Sequence, residues 1–116
     1  MTIREAISGE IEPYGLSDES IEKAFIDSNG RFGDNNTLTI ENDYSYTLKK
    51  VVAFAAMLCL NRLRELTSEN IGGISQSYDV KMLESRIKAI AAESGISPDL
   101  VLADNNSAEI YYVPVW

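Results

Sequence analysis

The chain has 116 residues, enough for one domain with a modest hydrophobic core. Its apolar fraction of 45% is typical of a folded protein, and its net charge of -8 excludes broad binding to a phosphate backbone, because such binding needs clustered cations. Histidine is absent, which removes the commonest general base and transition-metal ligand. No catalytic residue, metal site or cofactor is therefore expected.

The longest apolar run, Val51–Leu60, contains the single cysteine, Cys59. The run is too short to cross a bilayer, which requires about 20 apolar residues. One cysteine cannot form an internal disulfide, and a thiol in such a run is usually a small core residue. The N-terminus lacks the basic and apolar regions of a signal peptide. We therefore expect no membrane partner and a cytoplasmic location.

Capping signals predict two short helices at the start of the chain, over residues 2–10 and 17–28. Thr2 and Glu5 have the spacing of a capping box, and Ser17 has the position of an N-cap. The turn-rich residues 29–36 are expected to end the second helix, and residues 37–40 to form a short extended piece.

The strongest helical pattern covers residues 43–67 and begins at Asn42 or Asp43. One apolar stripe at helical spacing contains Leu48, Val52, Ala55, Cys59, Leu63 and Leu66. Further apolar residues widen the stripe nearly all the way round, and a helix that is apolar on all sides must be enclosed on all sides. Either the shorter helices of the same chain or a neighbouring subunit must supply that enclosure.

A fourth helix is predicted over residues 79–94, with Gly95 as its stop, and a short fifth over residues 97–103, with Pro98 in its first turn. The expected fold class is mainly α. One domain over residues 1–116 forms a small bundle of four to five helices around one long central helix. An extended or hairpin arm (residues 68–78) joins the last two main helices, and an extended C-terminal tail (residues 108–116) follows.

The arm and the tail are the candidate interaction sites. Paired glycines permit a sharp change of chain direction after the long helix, and the following residues alternate as in an extended segment. The tail is aromatic and costly to expose, so it either folds over its own core or packs on a neighbour. An ordinary wide connection is the competing explanation of the arm. The candidate residues are Ser68, Glu69, Gly72, Gly73, Ile74, Ser75, Ser77 and Tyr78 in the arm, and Tyr111, Tyr112, Val113 and Trp116 in the tail.

Other polar motifs do not form a reactive site. The acids Asp18, Glu19 and Glu22 are expected on an exposed helix, where neighbouring carboxylates have no reason to differ in pKa. The two "DNN" stretches lack the remaining ligands of an EF-hand, and "IGGIS" lacks the lysine of a phosphate-binding loop.

The order of elements resembles the head–tail connector (head-completion) proteins of tailed bacteriophages and prophages. In that family two short helices and a long helix often precede a motif of the form Ser-Glu-x-x-Gly-(Gly/Asp)-x-Ser-x-Ser-Tyr. The arm matches this motif at Ser68, Glu69, Gly72, Gly73, Ser75, Ser77 and Tyr78. The opening "TIREAI" and "LSDESIEKAFID" are also similar to small connector-like phage proteins.

The resemblance implies a non-enzymatic subunit that assembles with itself as a ring on the phage portal, next to tail-side proteins, for the passage of DNA. It implies no cofactor and no sequence-specific nucleic-acid binding. The location would be the host bacterial cytoplasm and then the virion. The alternative is a small acidic inhibitor or immunity protein that binds a basic partner or imitates DNA, and it depends on the net charge alone.

Overall fold

The structure is a computed structural model that describes residues 1–69 and 80–102, with side chains for all of these except residues 67–69. It is mainly α, as predicted, and no strand occurs in the described part. The elements in chain order are α1 (Ile3–Ile11), α2 (Asp18–Phe32), a 3₁₀ turn (Tyr44–Tyr46), α3 (Lys49–Glu69) and α4 (Val80–Ser94).

Helix α1 begins with the predicted capping box. The Thr2 hydroxyl accepts a hydrogen bond from the Glu5 backbone N–H, and the Glu5 carboxylate accepts one from the Thr2 backbone N–H. Two more N–H groups of the first turn donate to carbonyls of residues 33–48, the segment between α2 and α3, which we call the α2–α3 linker. Ile3 donates to the Asn42 carbonyl and Arg4 to the Ile40 carbonyl. The α2–α3 linker therefore lies against the start of α1 and completes its cap.

Helix α2 begins at the predicted cap Ser17 but ends at Phe32, four residues beyond the predicted end at Ser28. The extra turn contains the Asn29-Gly30 pair, which is a turn signal in isolation. Phe32 makes an edge-to-face contact with Phe54 of α3, with ring centroids 5.1 Å apart. This tertiary contact offsets the weak helix propensity of the last turn.

The predicted start of the third helix was wrong. Asp43 caps the 3₁₀ turn instead, because its carboxylate accepts hydrogen bonds from the Ser45 backbone N–H and hydroxyl. The backbone hydrogen bond is the main reason that the pKa of Asp43 is lowered. Helix α3 begins only at Lys49, so Leu48 precedes it and is 43% exposed rather than part of the buried stripe.

Helix α3 is the centre of the bundle and packs against α1, α2 and α4. The chain itself thus supplies most of the enclosure that an apolar helix requires. Ser28 of α2, a buried polar residue, donates a 2.6 Å hydrogen bond to the Val51 carbonyl of α3. The buried residues of α3 are Val51, Phe54, Ala55, Ala56, Met57, Cys59, Leu60 and Leu63. Within the described residues no helix is long and apolar enough to cross a membrane.

Helix α4 ends at the predicted stop. Gly95 has a φ of 75°, and both Gly95 and Ile96 donate backbone hydrogen bonds to the Ala91 carbonyl. A helical turn follows at residues 99–102, with Val101 buried in the core. Ser97 and Pro98 of the predicted fifth helix precede this turn and are not helical. Residue 103, at the predicted end of that helix, and residue 79, at the predicted start of the fourth, lie outside the described residues.

The predicted arm begins too early. Ser68 and Glu69 belong to the last turn of α3, so residues 68–69 continue the helix. The remaining arm positions, residues 70–78, lie outside the described part of the chain. The predicted extended piece at residues 37–40 also forms no strand. The α2–α3 linker makes only an isolated β-bridge, from its residue Asp43 to Thr2.

Arg86 of α4 fastens that helix to the C-terminal end of α1. Its guanidinium donates hydrogen bonds to the Glu12 carbonyl, at 2.9 Å, and to the Glu10 carbonyl. Carbonyls at the end of a helix have no partner within the helix, and a cation also interacts favourably with their partial negative charge.

Replacing Arg86 with methionine is expected to lower the free energy of unfolding by about 1.5–3 kcal/mol, the range for hydrogen bonds that involve a charged group. Methionine keeps the helix propensity and the apolar stem of arginine. The control Lys88→Met, at an exposed position of the same helix, should change stability far less. Urea unfolding followed by circular dichroism measures both, and equal losses would show that Arg86 does not act through α1.

Candidate functional site

An open groove of about 690 Å³ lies where α1, the start of α3 and the end of α4 meet. It exists because α1 and α4 both pack on α3, while Arg86 joins them only at one end of α1. Six of its apolar lining residues, which we call the groove residues, are Met1, Tyr44, Leu48, Val52, Ala53 and Ile90. Pockets of this size are common at ligand and peptide sites.

Three of the six groove residues are exposed although they are large and apolar. Met1, Tyr44 and Leu48 are 67%, 47% and 43% exposed, and all three are among the large exposed apolar side chains of the described part. Their neighbour Tyr46 is 70% exposed. Apolar side chains clustered beside a concave surface are typical of a binding site rather than of ordinary surface.

The small residues of α1 keep the groove wide. Ala6 and Gly9 line it, and a Cβ atom added at Gly9 would meet no atom within 4 Å. On α3 the lining residues Lys49, Val52 and Ala53 recur at helical spacing. The groove is therefore built from one face of each helix, next to the face that enters the core.

The rim of the groove is acidic and contains hydrogen-bond acceptors. Glu5 and Glu10 of α1 and Glu93 of α4 lie along it, with Lys49 as a nearby cation. Thr47 also lines the groove, and its hydroxyl is buried without a hydrogen-bond partner among the described residues. An occupant with an apolar body and a few hydrogen-bond donors fits this lining.

A second polar cluster, around Arg4, has a structural role. The guanidinium lies 2.8 Å from Glu41 of the α2–α3 linker, and 3.5 Å from Asp18 and 3.8 Å from Glu22 of α2. The hydrogen bond to Glu41 is the main reason that the pKa of Arg4 is raised. Asp18 and Glu22, two of the acids considered as paired carboxylates, thus share one arginine. Arg4 ties α1, α2 and the α2–α3 linker together.

Cys59 is buried in α3, as predicted, and burial raises the pKa of its thiol to about 12. A thiol with that pKa is almost entirely protonated at neutral pH and is a poor nucleophile. Across residues 1–69 and 80–102, no group of three or more histidine, cysteine, aspartate or glutamate side chains is placed to hold a metal ion.

Of the predicted interaction residues, only Ser68 and Glu69 belong to the described part of the chain. Ser68 and Glu69 lie in α3, at its last turn, and their side chains are outside the description. Gly72, Gly73, Ile74, Ser75, Ser77 and Tyr78 of the arm, and Tyr111, Tyr112, Val113 and Trp116 of the tail, lie outside the described residues. Sequence reasoning missed the groove, although the exposed run from Tyr44 to Leu48 carried a signal for it.

Comparison with known protein families assigns the chain. Residues 1–111 match the family described as "Family of unknown function (DUF6706)". The chain belongs to that family. No curated protein and no solved structure matches it. The DUF6706 assignment covers all four helices and the groove, but it carries no activity or partner with it.

Proposed function

We propose that the chain is a non-enzymatic assembly protein of a tailed bacteriophage or prophage, a head–tail connector subunit that joins a ring on the portal. The observation that carries the proposal is the exposed apolar groove, which gives the chain a surface for docking to another protein. The arm motif resembles that of head–tail connector proteins, and this resemblance favours the phage portal as the docking partner.

The order of elements supports this reading. Two short helices, α1 and α2, precede the long α3, and α4 follows. The resemblance to connector proteins depends on the same order, with the Ser-Glu-x-x-Gly-Gly motif at the end of the long helix. Ser68 and Glu69, the first two residues of that motif, lie in the last turn of α3.

The groove supports a docking role on physical grounds. Its apolar residues lose contact with water only when another segment covers them, and burial of apolar surface contributes about 25 cal/mol per Å². A few well-placed anchors of this kind carry most of the energy of a protein interface. The acids at the rim would select against partners that present negative charge there.

The distribution of charge is consistent with a DNA-conducting ring. Residues 1–43 contain ten acids and three bases, and the exposed start of α2 contributes Asp18, Glu19 and Glu22. A channel lined by acids repels the DNA backbone and does not retain it. This part of the proposal assigns the start of α2 to the channel side of the ring.

Quantitative mass spectrometry of purified phage particles tests the proposal. Particles are induced from a strain that carries the gene, and peptides of the chain are counted against those of the portal and capsid proteins. The expected result is a fixed number of copies of the chain per portal subunit, as for one ring of the chain stacked on the portal ring. Particles that contain portal and capsid but not this chain would contradict the connector role.

The acidic inhibitor remains the second candidate, because Asp18, Glu19 and Glu22 lie together on the exposed start of α2. That role predicts a chain that is absent from particles and binds a basic partner through α2. Replacing Glu19 with lysine would then weaken binding strongly, whereas substitutions in the groove would not affect it. The particle measurement separates the two candidates directly.

A further inference from the structure

We propose that the groove is the docking site of the chain's own C-terminal segment Ile110–Trp116, bound within the same molecule. The segment contains two valines, an isoleucine and three aromatic residues, and no charged side chain. The groove offers an apolar floor without a described occupant. The docking itself concerns the free chain, and only its consequence for assembly rests on the proposed function.

The geometry of the chain allows this docking. The described part ends at Leu102, just after α4, and the end of α4 contributes Ile90, Glu93 and Ser94 to the groove. Seven residues, 103–109, separate Leu102 from Ile110, and they span up to about 25 Å when extended. That reach is comparable with the length of α4 itself, about 22 Å for its 15 residues.

The chemistry of the segment matches the lining. The hydroxyls of Tyr111 and Tyr112 and the indole N–H of Trp116 are hydrogen-bond donors. The rim presents the carboxylates Glu5, Glu10 and Glu93, which only accept when ionised. Aromatic side chains of this type bind at surfaces where one end is apolar and the other is hydrated.

Tethering favours the same molecule over a neighbour. A link of only seven residues holds a segment near a site that it can reach, at an effective concentration in the millimolar range. At micromolar protein concentration, a segment from another copy therefore competes poorly. For a connector subunit, the segment and a partner protein would compete for the same groove.

Trp116 is the only tryptophan of the chain, so its fluorescence reports on the segment directly. In the full-length protein at low micromolar concentration, we expect blue-shifted emission and weak acrylamide quenching, relative to a synthetic peptide of residues 110–116. Leu48→Glu places a charge in the groove at an exposed position, so the fold should survive. It should shift the emission toward that of the peptide and raise the quenching constant several-fold.

The matched control is Ile26→Glu, at an exposed apolar position of α2 that does not line the groove, which should leave the emission unchanged. Circular dichroism of both variants confirms that each is folded. Peptide-like emission in the parent protein, or an equal response of the two variants, would overturn the proposal. A blue shift that disappears on dilution would also overturn it, since that result assigns the groove to a neighbouring copy. None of these outcomes depends on a portal, so the connector role is tested separately.

Discussion

Replacing Leu60 with alanine is expected to lower the free energy of unfolding by about 2–5 kcal/mol, the range for a large aliphatic side chain removed from a packed core. Leu60 is fully buried in α3, the helix that contacts all three of the others. The cavity would therefore form in the core, at the helix against which the other three pack. A domain of this size has about 5–15 kcal/mol in total, so the loss is a large fraction of its stability.

Urea or guanidinium unfolding, followed by circular dichroism, measures the loss as a lower midpoint at unchanged slope. The control is Leu48→Ala, the same substitution at a residue that is 43% exposed. It should cost well under half as much, because less surface leaves the core and solvent fills the gap. Equal losses at the two positions would mean that α3 is not the central helix of the bundle.

If the proposed connector role is right, a bulky polar side chain placed in the groove weakens binding to portal rings by about tenfold or more, which corresponds to about 1.4 kcal/mol. Gly9→Gln does this without damage to packing, because the added Cβ meets no atom within 4 Å. Glutamine also has a higher helix propensity than glycine. The variant should therefore be as stable as the parent and differ only in the groove.

Gly30→Gln is the matched control for this substitution. Gly30 also lies within a helix, α2, and a Cβ added there likewise meets no atom within 4 Å. It does not line the groove. Sedimentation with portal rings expressed from the same genome compares the two variants. Equal binding by both would place the portal contact elsewhere on the molecule.

Local signals in the sequence were sufficient for the helix starts that depend on local chemistry. Thr2 with Glu5, and Ser17, cap α1 and α2 as their spacing indicated, and Gly95 ends α4 in the left-handed conformation that favours glycine. These contacts form between residues within a few positions of each other. A single sequence contains all the information that they need.

Boundaries that depend on distant residues were not predictable in the same way. Asp43 is a good cap, but the sequence does not say that it caps a 3₁₀ turn held against the start of α1, where Tyr44 donates to the Met1 carbonyl. The last turn of α2 depends on Phe32 meeting Phe54 of α3. Both boundaries are set by tertiary packing, which overrides local propensity.

The groove was missed for the same reason. Its lining comes from three helices and the α2–α3 linker, and its existence depends on how α1 and α4 pack on α3. Gly9 is neutral in the sequence and becomes informative only when the space beside it is known. The exposed apolar run at Tyr44, Tyr46 and Leu48 was hidden within what looked like the start of the long helix.

The most direct test of the docking account is the mass of portal rings, measured by light scattering, before and after the purified chain is added. The account predicts that the ring mass rises to a plateau set by a whole number of bound subunits, and that Gly9→Gln reaches it only at higher concentration. A portal mass that stays unchanged at saturating amounts of the folded chain would contradict the account.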